Sequence, residues 1–143
     1  MGDGATVTKV ALLGDDAPGV RPELRVALGD RVRSGQTLWV DRRRPELCFA
    51  SPGAGIVKEI LRGERRRLSA VVIALEGDDE EPFEAVAPGE VASLSRERLE
   101  AMLLASGLWT ALRTRPYGHV PDPGSAPRSI FVSALETDPL APR

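Results

Sequence analysis

One cysteine, Cys48, and one histidine, His119, are all that this sequence offers of the two residue types that build most redox and soft-metal centres. A lone thiol forms no internal disulfide, and a thiolate-held iron–sulfur cluster needs several cysteines. A single imidazole likewise excludes a histidine-rich metal site. Aromatic residues amount to 4%, so aliphatic side chains must fill the core. Lysine is scarce as well: Lys9 and Lys58 stand beside seventeen arginines. No apolar run approaches the roughly 18 residues of a membrane-spanning helix. The start, Met1-Gly2-Asp3-Gly4, lacks the basic and apolar regions of a secretory signal. Neither G-x-G-x-x-G nor G-x-x-x-x-G-K-[ST] occurs, so no familiar nucleotide cradle is present. The expectation is a soluble, cytosolic-type domain with no catalytic constellation of its own, held at a membrane only through partners.

What is present fits a globular chain. Hydrophobic residues make up 42% of the 143 positions, which suffices for one compact domain with appendages. The formal net charge of −2, from 19 basic and 21 acidic residues, argues against a nucleic-acid partner, which needs a dense positive footprint.

Along the chain, Val7 to Leu13 reads as a short strand, followed by the turn cluster 14–19. From Leu24 onward short apolar stretches are cut by glycine. Gly29 and Gly35 suit turns of positive φ, and the Asp30 carboxylate can accept from nearby amides. Asp41 to Glu46 reads as a polar loop, with strands expected over Leu47–Ala50, Ile56–Leu61 and Leu68–Leu75. Six or seven short strands separated by turn signals predict a small barrel or sandwich. Ser95 to Ser106 is the clearest helix: Ser95 suits the N-cap, Glu97 the first turn and Gly107 the C′ position. Its expected apolar stripe is Leu99, Met102, Leu103 and Ser106. Leu108 to Arg113 can add a short second helix. Pro116, Pro121, Pro123 and Pro127 then rule out regular structure, and Ser129 to Ser133 reads as one more strand.

The segment Gly29-Asp30-x-Val32-x-x-Gly35-Gln36-x-Leu38, followed by Ser51-Pro52-Gly53-x-Gly55-x-Val57, resembles the barrel-sandwich hybrid of biotinyl and lipoyl domains. A carrier of that type presents a lysine on the hairpin between its halves. Here the hairpin carries Arg42-Arg43-Arg44, and a guanidinium stays protonated and is not acylated. Lys58 lies beyond the second turn, so the carrier reading fails while the fold reading stands. The cluster at 42–44 and that of Arg62, Arg65, Arg66 and Arg67 read first as solvated loops, and alternatively as a surface for an acidic partner or anionic lipid. The acids of Glu76 to Glu84 read as a solvated loop without the spacing of a calcium hand. His119 has no catalytic pairing around it, and Cys48 reads as a small buried hydrophobe.

The most specific stretch is Ser106-Gly107-Leu108-Trp109-Thr110-Ala111-Leu112-Arg113-Thr114-Arg115-Pro116-Tyr117. Read as structure, it is a junction with Trp109 packed on the barrel. Read as a site, it offers Trp109 and Tyr117 to a planar ring and Arg113 and Arg115 to oxygen acceptors. This stretch resembles a hallmark of the NqrA family, the A component of the bacterial Na+-translocating NADH:quinone reductases. Val10-Ala11-Leu12-Leu13-Gly14, Gly19-Val20-Arg21-Pro22, Val71-Val72-Ile73-Ala74 and Thr137-Asp138-Pro139-Leu140-Ala141 match in the same order.

The resemblance implies a mainly β fold: a barrel-sandwich hybrid over 1–77, an acidic linker over 78–94 and a helix with proline-rich junction over 95–128. The first strand of a truncated Rossmann-like α/β domain would occupy 129–143, the chain being an N-terminal portion of a longer protein. It implies a peripheral component on the cytoplasmic side of the inner membrane, partnered by the other subunits of the reductase. NADH, FAD, FMN and iron–sulfur chemistry would belong to those subunits. Ubiquinone is the one ligand this portion could approach, with Trp109, Arg113, Arg115 and Tyr117 as the quinone-proximal set. No catalytic or metal-binding residue is assigned. Rnf-type relatives bind flavin through a glycine-rich loop. Leu108-Trp109-Thr110-Ala111-Leu112 stands in its place here, and these side chains would block close backbone approach to a flavin phosphate. The alternatives are such an Rnf-type electron-transport component, or a non-carrier biotinyl/lipoyl-like interaction domain.

Overall fold

The computed structural model describes residues 6–132. Seven strands build the barrel: β1 (Lys9–Leu13), β2 (Pro22–Leu24), β3 (Arg31–Val32), β4 (Thr37–Asp41), β5 (Arg44–Ala50), β6 (Gly55–Arg62) and β7 (Leu68–Leu75). They form two antiparallel sheets, ordered β1-β7-β6-β3 and β2-β4-β5. The mainly β, barrel-sandwich architecture is the one the glycine-cut pattern predicts. Gly29 and Gly35, at φ 89° and 86°, make the turns that close it. The Gly29 amide donates to Val57 O at 2.8 Å, and the Val57 amide returns a bond to Asp30 O at 2.9 Å. The Gly35 and Ser51 amides tie the other sheet crossing in the same way. Asp30 Oδ2 accepts from the Ala27 amide at 2.8 Å, as its position in the turn predicts.

The core is aliphatic around one aromatic pair. Leu38, Leu47, Val57, Val71 and Ile73 are fully buried, and Trp39 stacks on Phe49 with ring centroids 5.6 Å apart. β5 shows the expected alternation, Leu47 and Phe49 inward, whereas Leu38 through Asp41 of β4 are buried consecutively. Helix α1 (Arg96–Ala105) and the 3-10 turn Leu108–Ala111 pack on β5, adding Leu103, Leu104 and Trp109 to the core. Ser95 caps α1 as expected, its hydroxyl accepting from the Arg98 amide. Glu97 is held below the usual carboxylate range by hydrogen bonding from its own backbone amide and from Ser95.

Several expectations shift. The polar loop at 41–46 is a two-residue turn, Arg42-Arg43, and β5 begins at Arg44. The reason is a buried carboxylate at Asp41 that folds the chain back at once. Cys48 is half-buried rather than buried, and the second helix is a single 3-10 turn. The acidic stretch does not simply leave the barrel. Glu80 bridges to Ser34, and the Glu81 amide donates to Ser34 O at 2.8 Å. Residues 112–128 form no regular element, in keeping with their prolines. Ser129 to Val132 are exposed and unpaired among the described residues, and the rest of the expected strand and α/β region lies outside them.

Candidate functional site

The stretch that carries the sequence signature leaves α1 through Gly107, whose φ of 76° turns the chain out of the helix. A Cβ there would lie 3.1 Å from Cys48 O and 3.3 Å from Ala50 Cβ, so the turn sits directly on β5. Trp109 follows and is buried, 8% exposed, its indole Nε1–H donating to Pro121 O at 3.0 Å. Its ring is part of the core, as the structural reading of this stretch expects, and its faces are not open for a planar ligand to stack upon. Beyond it, the Thr114 amide and hydroxyl both donate to His119 O, closing a tight loop that includes the cis Arg115–Pro116 bond. Arg113 bends back to donate to Thr110 O, Leu112 O and Asp16 O. Arg115 is exposed, and Tyr117 is 79% exposed and meets His119 edge-on. Thus Arg113, Arg115 and Tyr117 share one surface loop, while Trp109 anchors that loop from beneath.

A second set of residues holds the same loop, and sequence reasoning missed it. Asp41 is 1% exposed. Its Oδ1 accepts from the Arg21 and Arg43 amides at 3.2 and 3.1 Å, and its Oδ2 from the Arg44 guanidinium at 2.9 Å. The same guanidinium reaches Asp122 at 2.5 Å and Val120 O at 3.4 Å. Burial pushes the Asp41 carboxyl upward, but the two amides and Arg44 outweigh it and hold the group below the usual range. Burial likewise works against the Arg44 charge, and the two carboxylates more than restore it. Arg44 is therefore an anchor between the hairpin and the proline-rich loop, not a solvated charge. The legible signal was Asp41 itself, an acid directly after the apolar run Leu38-Trp39-Val40.

Among the described residues, no group of three or more His, Cys, Asp or Glu side chains converges as a metal site would require. None of their helices is long and apolar enough to cross a membrane. At the tip of the β4–β5 hairpin, where a carrier would present lysine, stand Arg42 and Arg43.

Known proteins share this sequence over nearly its whole length. Residues 1–76 match the family model described as the NqrA N-terminal barrel-sandwich hybrid domain, and residues 94–143 match that of the NqrA second alpha/beta domain. The NqrA component of the Na(+)-translocating NADH-quinone reductase of Yersinia pseudotuberculosis serotype O:1b (strain IP 31758) is 50% identical over 139 residues, 97% of this chain and 31% of the relative. The same component from Pseudomonas aeruginosa (strain UCBPP-PA14) is 50% identical over 135 residues, 94% of this chain and 30% of the relative. That of Neisseria meningitidis serogroup B is 48% identical over 139 residues, with 97% and 31% covered. The chain thus spans about 31% of the length of the curated relatives it matches.

Proposed function

This chain belongs to the NqrA family, and from that premise we propose that it serves as part of the NqrA component of a Na+-translocating NADH:quinone reductase. In this reading it is a peripheral portion on the cytoplasmic side that holds other subunits together. Hydride transfer, flavin chemistry and Na+ movement belong to those subunits. The observation that carries it is the 50% identity spread over 97% of the chain, which takes in both the barrel and the 106–117 signature. An Rnf-type or free-standing interaction domain has no comparable support.

The portion's own chemistry is a quinone-side surface on the 112–122 loop. Arg113 and Arg115 offer charged N–H donors to the two carbonyls of a quinone head, and Tyr117 offers an exposed aromatic face. Trp109 contributes by position: its packing and its bond to Pro121 O set the height of the loop. No redox step is assigned to any of these side chains.

The test is titration of the chain with a short-tail ubiquinone, read by tryptophan fluorescence, with Trp109→Phe leaving Trp39 as reference. The expected outcome is saturable quenching that weakens at least tenfold in Tyr117→Ala and Arg115→Gln, about one charge-assisted hydrogen bond or one stacked ring. Quenching that is unsaturable, or that both variants show as strongly as the parent chain, would remove the quinone-side role and leave a scaffold within the complex.

A further inference from the structure

Two arginine clusters that lie twenty residues apart in sequence meet at one end of the barrel. The β1–β7 register pairs Leu13 with Ala70, and the β6–β7 register pairs Arg62 with Leu68. The hairpin 62–67 therefore stands beside the end of β1. The β2–β4 register pairs Pro22 with Asp41, which places the Arg42-Arg43 turn beside the start of β2. The connection 14–21 runs between the two. Arg67 pairs with Asp15 at 2.8 Å, the Arg43 guanidinium donates to Gly19 O at 3.0 Å, and Arg113 donates to Asp16 O. The 112–122 loop thus joins the same end.

Charge is sharply segregated as a result. The loops 14–21, 41–44, 62–67 and 112–122 hold ten of the seventeen arginines against five carboxylates. Three of those carboxylates are engaged within the end itself, Asp41 and Asp122 by Arg44 and Asp15 by Arg67, which leaves eight arginines against Asp16 and Glu64. The opposite end carries the acidic stretch, tied along the barrel by Arg31–Glu76 and Arg33–Glu81 pairs. A chain of net charge −2 thus presents one strongly positive end.

The hairpin tip itself is strained in a way that favours display. Arg65 and Arg66 have φ of 53° and 62°, and the Arg67 amide donates to Glu64 O at 3.1 Å. This is the mirror-image turn that suits Asn-Gly, built instead from two arginines whose Cβ atoms make it costly. Neither residue is buried, so no packing repays that cost.

We propose that this end of the barrel docks on the anionic headgroups of a phospholipid membrane. Guanidinium groups match phosphate in bidentate geometry, and clustered basic residues gain from the negative surface potential. Two features favour a lipid plane over an acidic protein. Exposed arginines stand on four separate segments around the end of one barrel, Arg21, Arg42, Arg65 with Arg66, and Arg115, a spread that a plane of headgroups meets all at once. Among them stand Tyr117, 79% exposed, and Leu112, 41% exposed, an aromatic and an aliphatic tip beside Arg113 and Arg115. Amphipathic aromatics amid cations are the composition that settles at headgroup level.

The experiment is flotation of the 143-residue chain with vesicles of phosphatidylcholine alone or mixed with phosphatidylglycerol, at low and high salt. Binding is expected only to the anionic vesicles, and it falls as salt screens the surface. The double variant R65N/R66G removes two charges while giving the turn residues it prefers, so the fold is retained and melting checks it. Its partitioning falls roughly thirtyfold, as does that of R42Q/R43Q, at about fivefold per arginine. R31Q/R33Q at the acidic end leaves it unchanged. Equal binding to neutral and anionic vesicles, or wild-type binding by R65N/R66G, overturns the proposal. So does capture of polyglutamate without vesicle binding, which would point to an acidic protein instead. Failure on vesicles leaves membership of a quinone reductase intact, because the docking surface is argued from charge and topology alone.

Discussion

Asp41 takes four donors on two oxygens, and through Arg44 it fastens a loop nearly eighty residues away. Replacing it by asparagine leaves one acceptor oxygen and turns an amide N–H toward the guanidinium. The expected cost is about 3 kcal/mol at pH 7, since a largely buried pair loses one partner. The pH sign follows from the depressed folded-state value. The carboxylate contributes fully above its unfolded value of 3.8 and loses that contribution as pH falls through the lower folded value. Urea unfolding should therefore separate wild type from Asp41→Asn at pH 7 and bring them together progressively below about pH 4. A gap that persists unchanged at about pH 3 would mean that packing, not charge, holds the hairpin. The asparagine-glycine replacement at 65–66 acts oppositely: relief of two left-handed arginines should raise stability by about 1–2 kcal/mol, seen as a higher Tm.

Helix α1 shows how a short element is made by its ends. Ten residues are marginal for an isolated helix, so capping and docking decide whether it forms. Ser95 supplies the first cap and Gly107 the reversal at the other end, both readable from residue type and position. The stripe was only partly readable. Leu103 faces the core as expected, but Leu104 joins it and Leu99 is 40% exposed. The helix leans on β5 at its C-terminal end, which no periodicity reveals. Gly107→Ala should cost about 2 kcal/mol in thermal unfolding, from a left-handed φ plus a Cβ 3.1 Å from Cys48 O. Because Trp109 follows directly, the same variant should loosen the 112–122 loop, detectable as faster amide exchange at Thr114 and Gly118, whose amides close it. Unchanged exchange would separate the loop's order from the helix end.

For the molecule as a whole, segregated charge matters more than its total. With net charge −2 the chain should pass a cation exchanger at pH 7, yet its arginine end should retain it at low salt. Retention should disappear in R65N/R66G and persist in R31Q/R33Q; elution of the parent chain in the void would contradict the segregation. The strands, the glycine turns, the capped helix and the family signature were all legible because each rests on local chemistry. Periodicity, a required positive φ and an N-cap hydroxyl are properties of a few adjacent residues. The polar loop read at 41–46 failed for the converse reason: the amide of Arg21 that helps to bury Asp41 lies twenty residues away.

By itself, the sequence determined the fold class, the absence of cysteine and histidine in the numbers that clusters demand, and the resemblance to its family. Only the tertiary structure decided that Trp109 packs inward while Arg113, Arg115 and Tyr117 face out, and that Arg44 is an anchor and not a free charge. It alone brought the two arginine clusters to one end, since that juxtaposition depends on antiparallel register. Register is set by pairing between distant strands, and no stretch of sequence contains it.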